Sequence, residues 1–139
     1  MARRTTTMTA AAAAQGGGLT FLRAATALQT LALFFQAVTA GMLLSTSYGE
    51  TLHSVGARVM YGASMLYVLA AVLVWRPGGG TPRHILYATG FLALASVQVV
   101  LGIAHMPSLH VPLGVLMFGL STLAFARTPA AARRLNRGT

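Results

Sequence analysis

The stretch HSVGARVMYGASMLYVLAAVLVW, residues 53–75, decides the fold class of this chain. Its only charged side chain is Arg58, and apolar or small residues fill almost all the rest. A helix needs about 20 mainly apolar residues, within a range of about 17 to 25, to cross the hydrocarbon core of a bilayer. Residues 53–75 are therefore predicted to form a transmembrane helix.

Three further apolar segments of similar length surround this one, at residues 19–44, 84–104 and 109–126. Turn-forming residues separate the four segments, including the glycine triplet in RPGGGTPR and the proline in HMPS. Small residues are frequent within the segments, and they let membrane helices approach closely. The sequence therefore predicts an all-α membrane protein, an antiparallel bundle of four transmembrane helices built from two hairpins.

The domain organisation follows from these segments. Residues 1–18 lack large apolar side chains other than methionine, and we expect a disordered cytoplasmic tail there. Residues 19–127 form the predicted four-helix transmembrane domain, and residues 128–139 a basic cytoplasmic tail.

Composition excludes several classes of function. Only 8% of the 139 residues are charged, whereas soluble domains carry about 25%. The net charge of +9 comes from ten arginines at the boundaries of apolar segments, without the aromatic-interleaved basic stripe of a nucleic-acid interface. Cysteine is absent, which excludes disulfides and thiolate metal sites, and a single carboxylate excludes paired-carboxylate catalysis within one chain.

The arginines also predict the orientation in the membrane. Nine of the ten lie in or beside the two termini and the middle loop, and the loops at 45–52 and 105–108 contain neither arginine nor lysine. Cytoplasmic loops are enriched in these residues, so both termini and the middle loop are predicted to be cytoplasmic. We expect a multi-pass protein of the cell membrane. Arg58 is the exception to the pattern.

The two hairpins form a weak internal repeat. FFQAVTAGMLL (34–44) followed by LHSVGARVMYG (52–62) resembles SVQVVLGIAHM (96–106) followed by LHVPLGVLMFG (109–119). Each hairpin has a glutamine in its first helix, and its second helix opens with Leu-His and then two glycines. Parallel repeats in membrane proteins are related by an axis along the membrane normal, which would bring His53 and His110 face to face in the outer half of the bundle.

Two facing histidines can hold one haem iron between helices of a bundle. A histidine at a membrane boundary can also be a plain interfacial residue. We prefer that interpretation for His84, beside Arg83 on the cytoplasmic side, and His105 stays ambiguous. His53 and His110 differ from these two because the repeat pairs them.

Two charged residues accompany His53. Arg58 lies five residues further along the helix, about 7.5 Å deeper, and an ionisable residue at that depth is a candidate for function. It would bind a haem propionate or pair with Glu50, or its side chain would extend to the headgroups. Glu50, the only acid of the chain, is a candidate for acid–base catalysis or a solvated residue that begins the second helix.

The motif Glu50-Thr-Leu-His53, together with the repeated Gln…Leu-His…Gly hairpins, resembles the haem A synthase family. Members are typically eight-helix proteins made of two four-helix halves, each with a histidine pair on its even-numbered helices near the outer face. The resemblance covers residues 21–126 as one half. It implies that His53 and His110 are haem ligands and that Glu50 assists oxidation of the haem O methyl group. The chain departs from the family in lacking the outer-loop cysteine pair and in having Ser54 where arginine is common.

Three functional hypotheses remain open at this stage. The first is a haem A synthase-like oxidoreductase that acts on haem O. The second is a non-enzymatic haem protein of b type, an electron-transfer or haem-carrier subunit. The third is an accessory membrane subunit without a cofactor. The expected partners are the lipid bilayer, haem with its iron, and either a second copy of the chain or assembly partners of a respiratory oxidase.

Overall fold

The computed structural model describes residues 2–76 and 79–128, and its regular secondary structure there is entirely helical. The helices are α1 (Ala2–Met42), α2 (Gly49–Trp75), α3 (Arg83–Ile103) and α4 (Pro107–Arg127). All four are long and apolar enough to cross a membrane, α1 over Gln15–Met42. The prediction of four helices of transmembrane length is confirmed.

Three of the four helices begin two or more residues earlier than predicted. α1 begins at Ala2, although the sequence predicted a disordered tail over residues 1–18. The run of alanines explains the difference, because alanine has the highest helix propensity. α2 begins at Gly49, which places Glu50 in its first turn. α4 begins with Pro107, a residue that the first helical position tolerates because its missing N–H has no partner there. The predicted basic tail lies outside the described residues except for Thr128.

The helices pack around a ring. α1 contacts α2 and α4, and α3 contacts the same two helices; in the described part of the chain neither α1 with α3 nor α2 with α4 makes comparable contacts. α2 and α4 therefore lie diagonally across the bundle. The two helices that carry the histidine pair face each other through the centre.

Two apolar clusters fill the interior. The first lies toward the end of the bundle that holds the middle loop and consists of Leu19, Leu22, Ala25, Tyr67, Ala70, Ala71, Val74 and Ala88. The second lies midway along the helices and consists of Ala32, Leu33, Met60, Ala63, Phe91, Ala95 and Met117. The many alanines permit close helix contacts, which membrane bundles need because lipid provides no hydrophobic drive for association. The second cluster separates the first from the histidines.

A chain of hydrogen bonds crosses from α1 to α4 beside these clusters. Thr30 donates to the carbonyl of Thr26 at 2.8 Å, and its oxygen therefore accepts from Ser121 Oγ, also at 2.8 Å. Ser121 in turn accepts from Gln29 Nε2 at 3.4 Å. About two turns earlier on α1, Arg23 donates to the carbonyl of Thr128 at 2.6 Å and satisfies a backbone acceptor at the end of α4. These bonds hold α1 against α4.

Candidate functional site

The structure brings the rings of His53 and His110 together across the bundle diagonal. Their centroids lie 6.1 Å apart, and the ring planes differ by 68°. Both side chains are half-buried. On α2, His53 continues the buried stripe that includes Gly56 and Met60, at the three- and four-residue spacing of one helix face. The repeat predicted that these two histidines would face each other.

A hydrogen bond to Thr39 orients His53. Nδ1 of His53 lies 3.1 Å from Thr39 Oγ1, and the Thr39 side chain is fully buried. The Thr39 hydroxyl has one proton, which it donates to Gln36. The side-chain oxygen and the backbone carbonyl of Gln36 lie 3.0 and 3.1 Å from Thr39 Oγ1. With its proton given to Gln36, Thr39 Oγ1 can accept a hydrogen bond from His53 in the tautomer that carries the proton on Nδ1. In that tautomer the lone pair of Nε2 is free to bind a ligand.

His110 has the same tautomer for a different reason. Its Nδ1 lies 3.0 Å from the backbone carbonyl of Gln98, which can only accept a hydrogen bond, so Nδ1 carries the proton. The side chain of Gln98 returns the contact, because its Nε2 donates to the carbonyl of His110 at 2.8 Å. With that tautomer of His53, both histidines have a protonated Nδ1 and a free Nε2.

Packing explains why the first glycine of each repeat is a glycine. A Cβ on Gly56 would lie 2.9 Å from the side-chain oxygen of Gln36, and a Cβ on Gly114 would lie 3.0 Å from Nε2 of Gln98. Each glutamine therefore rests in the space that a missing side chain leaves on the neighbouring helix. The second glycines, Gly62 and Gly119, would meet no atom within 4 Å. Only the first glycine of each repeat belongs to the site.

The separation of the rings suits an iron held between them. Metal–nitrogen bonds to histidine are about 2.0–2.1 Å, and each ring centre lies about 1.1 Å beyond Nε2, so a linear N–metal–N arrangement separates the centroids by about 6.2 Å. The observed 6.1 Å agrees with this value. Ligating histidines usually donate their other N–H to a carbonyl or another acceptor, as both do here. The separation of the two imidazoles is therefore close to that of two histidines bound to one metal ion.

Arg58 and Glu50 lie elsewhere on α2. Both are exposed, and together with Thr51, Ser54 and Val55 they line a shallow cleft on the outer surface of the helix. At about 100° per residue, Glu50 is about 60° around the helix from His53, and Arg58 about 140°. The structure does not bring Arg58 to the histidine pair. The role of Arg58 as a propionate ligand stays a prediction without support from this geometry.

The other two histidines are not part of the pair. His105 follows the end of α3, is exposed, and has a φ of 53°, a left-handed conformation in which histidine is enriched among non-glycine residues. His84 lies in the first turn of α3, about 21 Å along the helix from Gln98. Neither His105 nor His84 belongs to the His53–His110 pair.

Sequence reasoning missed Thr39. The repeat identified Gln36 and Gln98 as matching polar residues but gave them no role. Thr39 lies three residues after Gln36, on the same helix face, and this spacing was the available signal. In the second hairpin the equivalent position is Leu101, so Thr39 is not itself a feature of the repeat.

Comparison of the chain with protein-family models, with curated proteins and with solved structures finds no match. The resemblance to the haem A synthase family therefore rests on the motif residues alone.

Proposed function

We propose that this protein binds one haem between His53 and His110 and acts as a membrane electron-transfer or haem-carrier subunit of b type. One observation carries the proposal: the rings of His53 on α2 and His110 on α4 meet across the bundle, with their centroids 6.1 Å apart. Hydrogen bonds on both Nδ1 atoms support it further, because they suit the tautomer that ligation requires.

The chain would do three things for the cofactor. The two Nε2 atoms would hold the iron, while Thr39 and the carbonyl of Gln98 would keep the rings oriented and raise their basicity as ligands. The apolar cluster below the site would keep water away from it. A bound haem would supply one-electron chemistry. With both His53 and His110 bound to the iron, oxygen would find no free position, so the site would favour electron transfer over oxygen binding.

We also propose an antiparallel bundle with both termini in the cytoplasm and the histidine pair near the outer face of the cell membrane. Support comes from the arginine-free loops at 45–52 and 105–108 and from the short connections between successive helices. Cysteines introduced at Ser47 and Ser108 should react with an impermeant maleimide added outside whole cells, and a cysteine at Gly79 should not. The reverse pattern would contradict the orientation.

A second candidate function is oxidation of the haem O methyl group, in line with the resemblance to the haem A synthase family. Glu50 supports it, because it lies one turn before His53 on the same helix, about 60° around its axis. If the enzyme hypothesis is correct, the protein given haem O, a reductant and dioxygen as the oxidant yields an oxidised haem in extracts. Glu50→Gln would then keep bound haem and lose this product. No product from the wild type would exclude this candidate and leave the first.

Haem stoichiometry tests the proposed function directly. The full-length protein, purified in detergent after expression with added haem precursor, should contain about one haem b per chain and give a low-spin six-coordinate spectrum. His84→Ala is the matched control, since His84 lies outside the pair, and it should keep full haem content. Purified protein that takes up no haem from an excess would contradict the proposal.

A further inference from the structure

The cleft on α2 combines charged and hydroxyl groups on an exposed surface of the helix. Glu50, Thr51, Ser54 and Arg58 line it, and all four side chains are exposed. The same side of the helix continues with Met65, which is 56% exposed. In the described part of the chain, no ion pair joins Glu50 to Arg58. Charged residues in membrane helices usually face the bundle interior or pair with one another, so their exposure here calls for a partner from outside the chain.

The depths of the two charges differ in a defined way. α2 has 27 residues and is about 40 Å long, about 10 Å longer than the hydrocarbon core of a bilayer. Glu50, in its first turn, lies at the level of the headgroups. Arg58 is about 12 Å deeper along the axis, and its long side chain can extend about 6 Å back toward the surface. The carboxylate is thus outermost, the guanidinium lies below it, and the hydroxyls of Thr51 and Ser54 lie between.

We propose that this cleft binds the headgroup of phosphatidylethanolamine. That lipid carries an ammonium group joined to its phosphate by one ethanolamine unit, so it offers a cation to Glu50 and an anion to Arg58. The guanidinium would form charge-assisted hydrogen bonds to the phosphate oxygens. The hydroxyls of Thr51 and Ser54 would donate to the same phosphate, and the carboxylate would accept from the ammonium.

The charges of the cleft distinguish this lipid from other common phospholipids. A choline headgroup has no N–H to donate to Glu50, because its nitrogen carries four carbons. A glycerol headgroup offers Arg58 its phosphate but leaves the carboxylate of Glu50 without a cation. The cleft therefore matches a zwitterionic headgroup with a protonated primary amine. This inference does not depend on haem, because Arg58 lies about 140° around α2 from His53.

Lipid titration of the full-length protein in detergent tests the inference. Binding of phosphatidylethanolamine, phosphatidylcholine and phosphatidylglycerol would be measured by native mass spectrometry, with matched acyl chains. The wild type should bind phosphatidylethanolamine most tightly. Glu50→Gln should weaken this binding about tenfold, as expected for loss of one charge-assisted hydrogen bond, and leave phosphatidylglycerol unaffected. Arg58→Gln should weaken both lipids by a similar factor.

Arg83→Gln is the matched control, because it removes an exposed arginine at the opposite end of the bundle. It should leave the preference for phosphatidylethanolamine unchanged. Equal affinity of the wild type for the ethanolamine and choline lipids would overturn the proposal. A preference for phosphatidylethanolamine that survives both Glu50→Gln and Arg58→Gln would overturn it as well.

Discussion

Replacement of Thr39 by valine removes the one side-chain hydrogen-bond partner that His53 has among residues 2–76 and 79–128. Valine has almost the shape of threonine, so the packing around the site is kept. The variant loses the oxygen that accepts from His53 Nδ1 at 3.1 Å and the proton donated to the Gln36 side chain at 3.0 Å. Thr39 is fully buried, so water cannot readily replace it. His53 Nδ1 thus loses its contact with the Thr39 oxygen.

The expected loss follows from the contribution of such partners to metal binding. Removing a hydrogen-bond acceptor of a ligating histidine typically costs a factor of about 10 to 100 in metal affinity. Thr39→Val should therefore weaken haem binding by a factor in that range, which corresponds to about 1.4–2.7 kcal/mol. The assay is titration of the haem-free protein with haem, followed by the Soret absorbance.

Thr39→Ser is the control, since it keeps the hydroxyl and should bind haem within about threefold of the wild type. Thr30→Val, which changes a hydroxyl in the polar chain between α1 and α4, tests whether any lost hydroxyl has the same effect. It should leave haem affinity unchanged. Thr39→Val with the affinity of the wild type, or an equal loss in Thr39→Ser, would refute the role of this hydrogen bond.

Two further predictions concern stability. Gly56→Ala places a Cβ 2.9 Å from the Gln36 side-chain oxygen, whereas the Cβ of Gly62→Ala meets nothing within 4 Å. Gly56→Ala should therefore be about 1–3 kcal/mol less stable than Gly62→Ala, as measured by denaturant unfolding in detergent. Equal stabilities of the two variants would contradict the packing argument. Ser121→Ala removes the acceptor of the buried Gln29 amide and should lower the free energy of unfolding by about 1–3 kcal/mol. Thr122→Ala, at an exposed position, should lower it by less than about 0.5 kcal/mol in the same assay. Similar costs for the two would show that the polar chain does not stabilise the bundle.

The sequence predicted the four helices because each is a long apolar segment, a signal that depends only on local composition. The predicted start of α2, at His53, lies four residues after the observed start at Gly49. The segment was read from its apolar residues, whereas the helix starts at Gly49 and includes Glu50 in its first turn. The disordered tail was predicted from the lack of large apolar residues. That prediction ignored the high helix propensity of the alanines from Ala10 to Ala14.

Within the candidate site, the sequence identified both histidines because the repeat placed them at matching positions. The position of Arg58 was also readable, because it falls off the helix face shared by His53, Gly56 and Met60. The hydrogen bond that orients His110 could not be predicted from the sequence. Its acceptor is a backbone carbonyl, that of Gln98, and no residue type encodes such a contact.

The most direct test of the central claim is the spin state of the ferric haem protein with each histidine replaced in turn. If the proposal is correct, the wild type should be low-spin and six-coordinate, because both His53 and His110 would bind the iron. His53→Ala and His110→Ala should each lose most of their haem or convert it to a high-spin form, and added imidazole should restore the low-spin spectrum. If both variants keep the full haem content and the low-spin spectrum of the wild type, the two histidines do not share an iron.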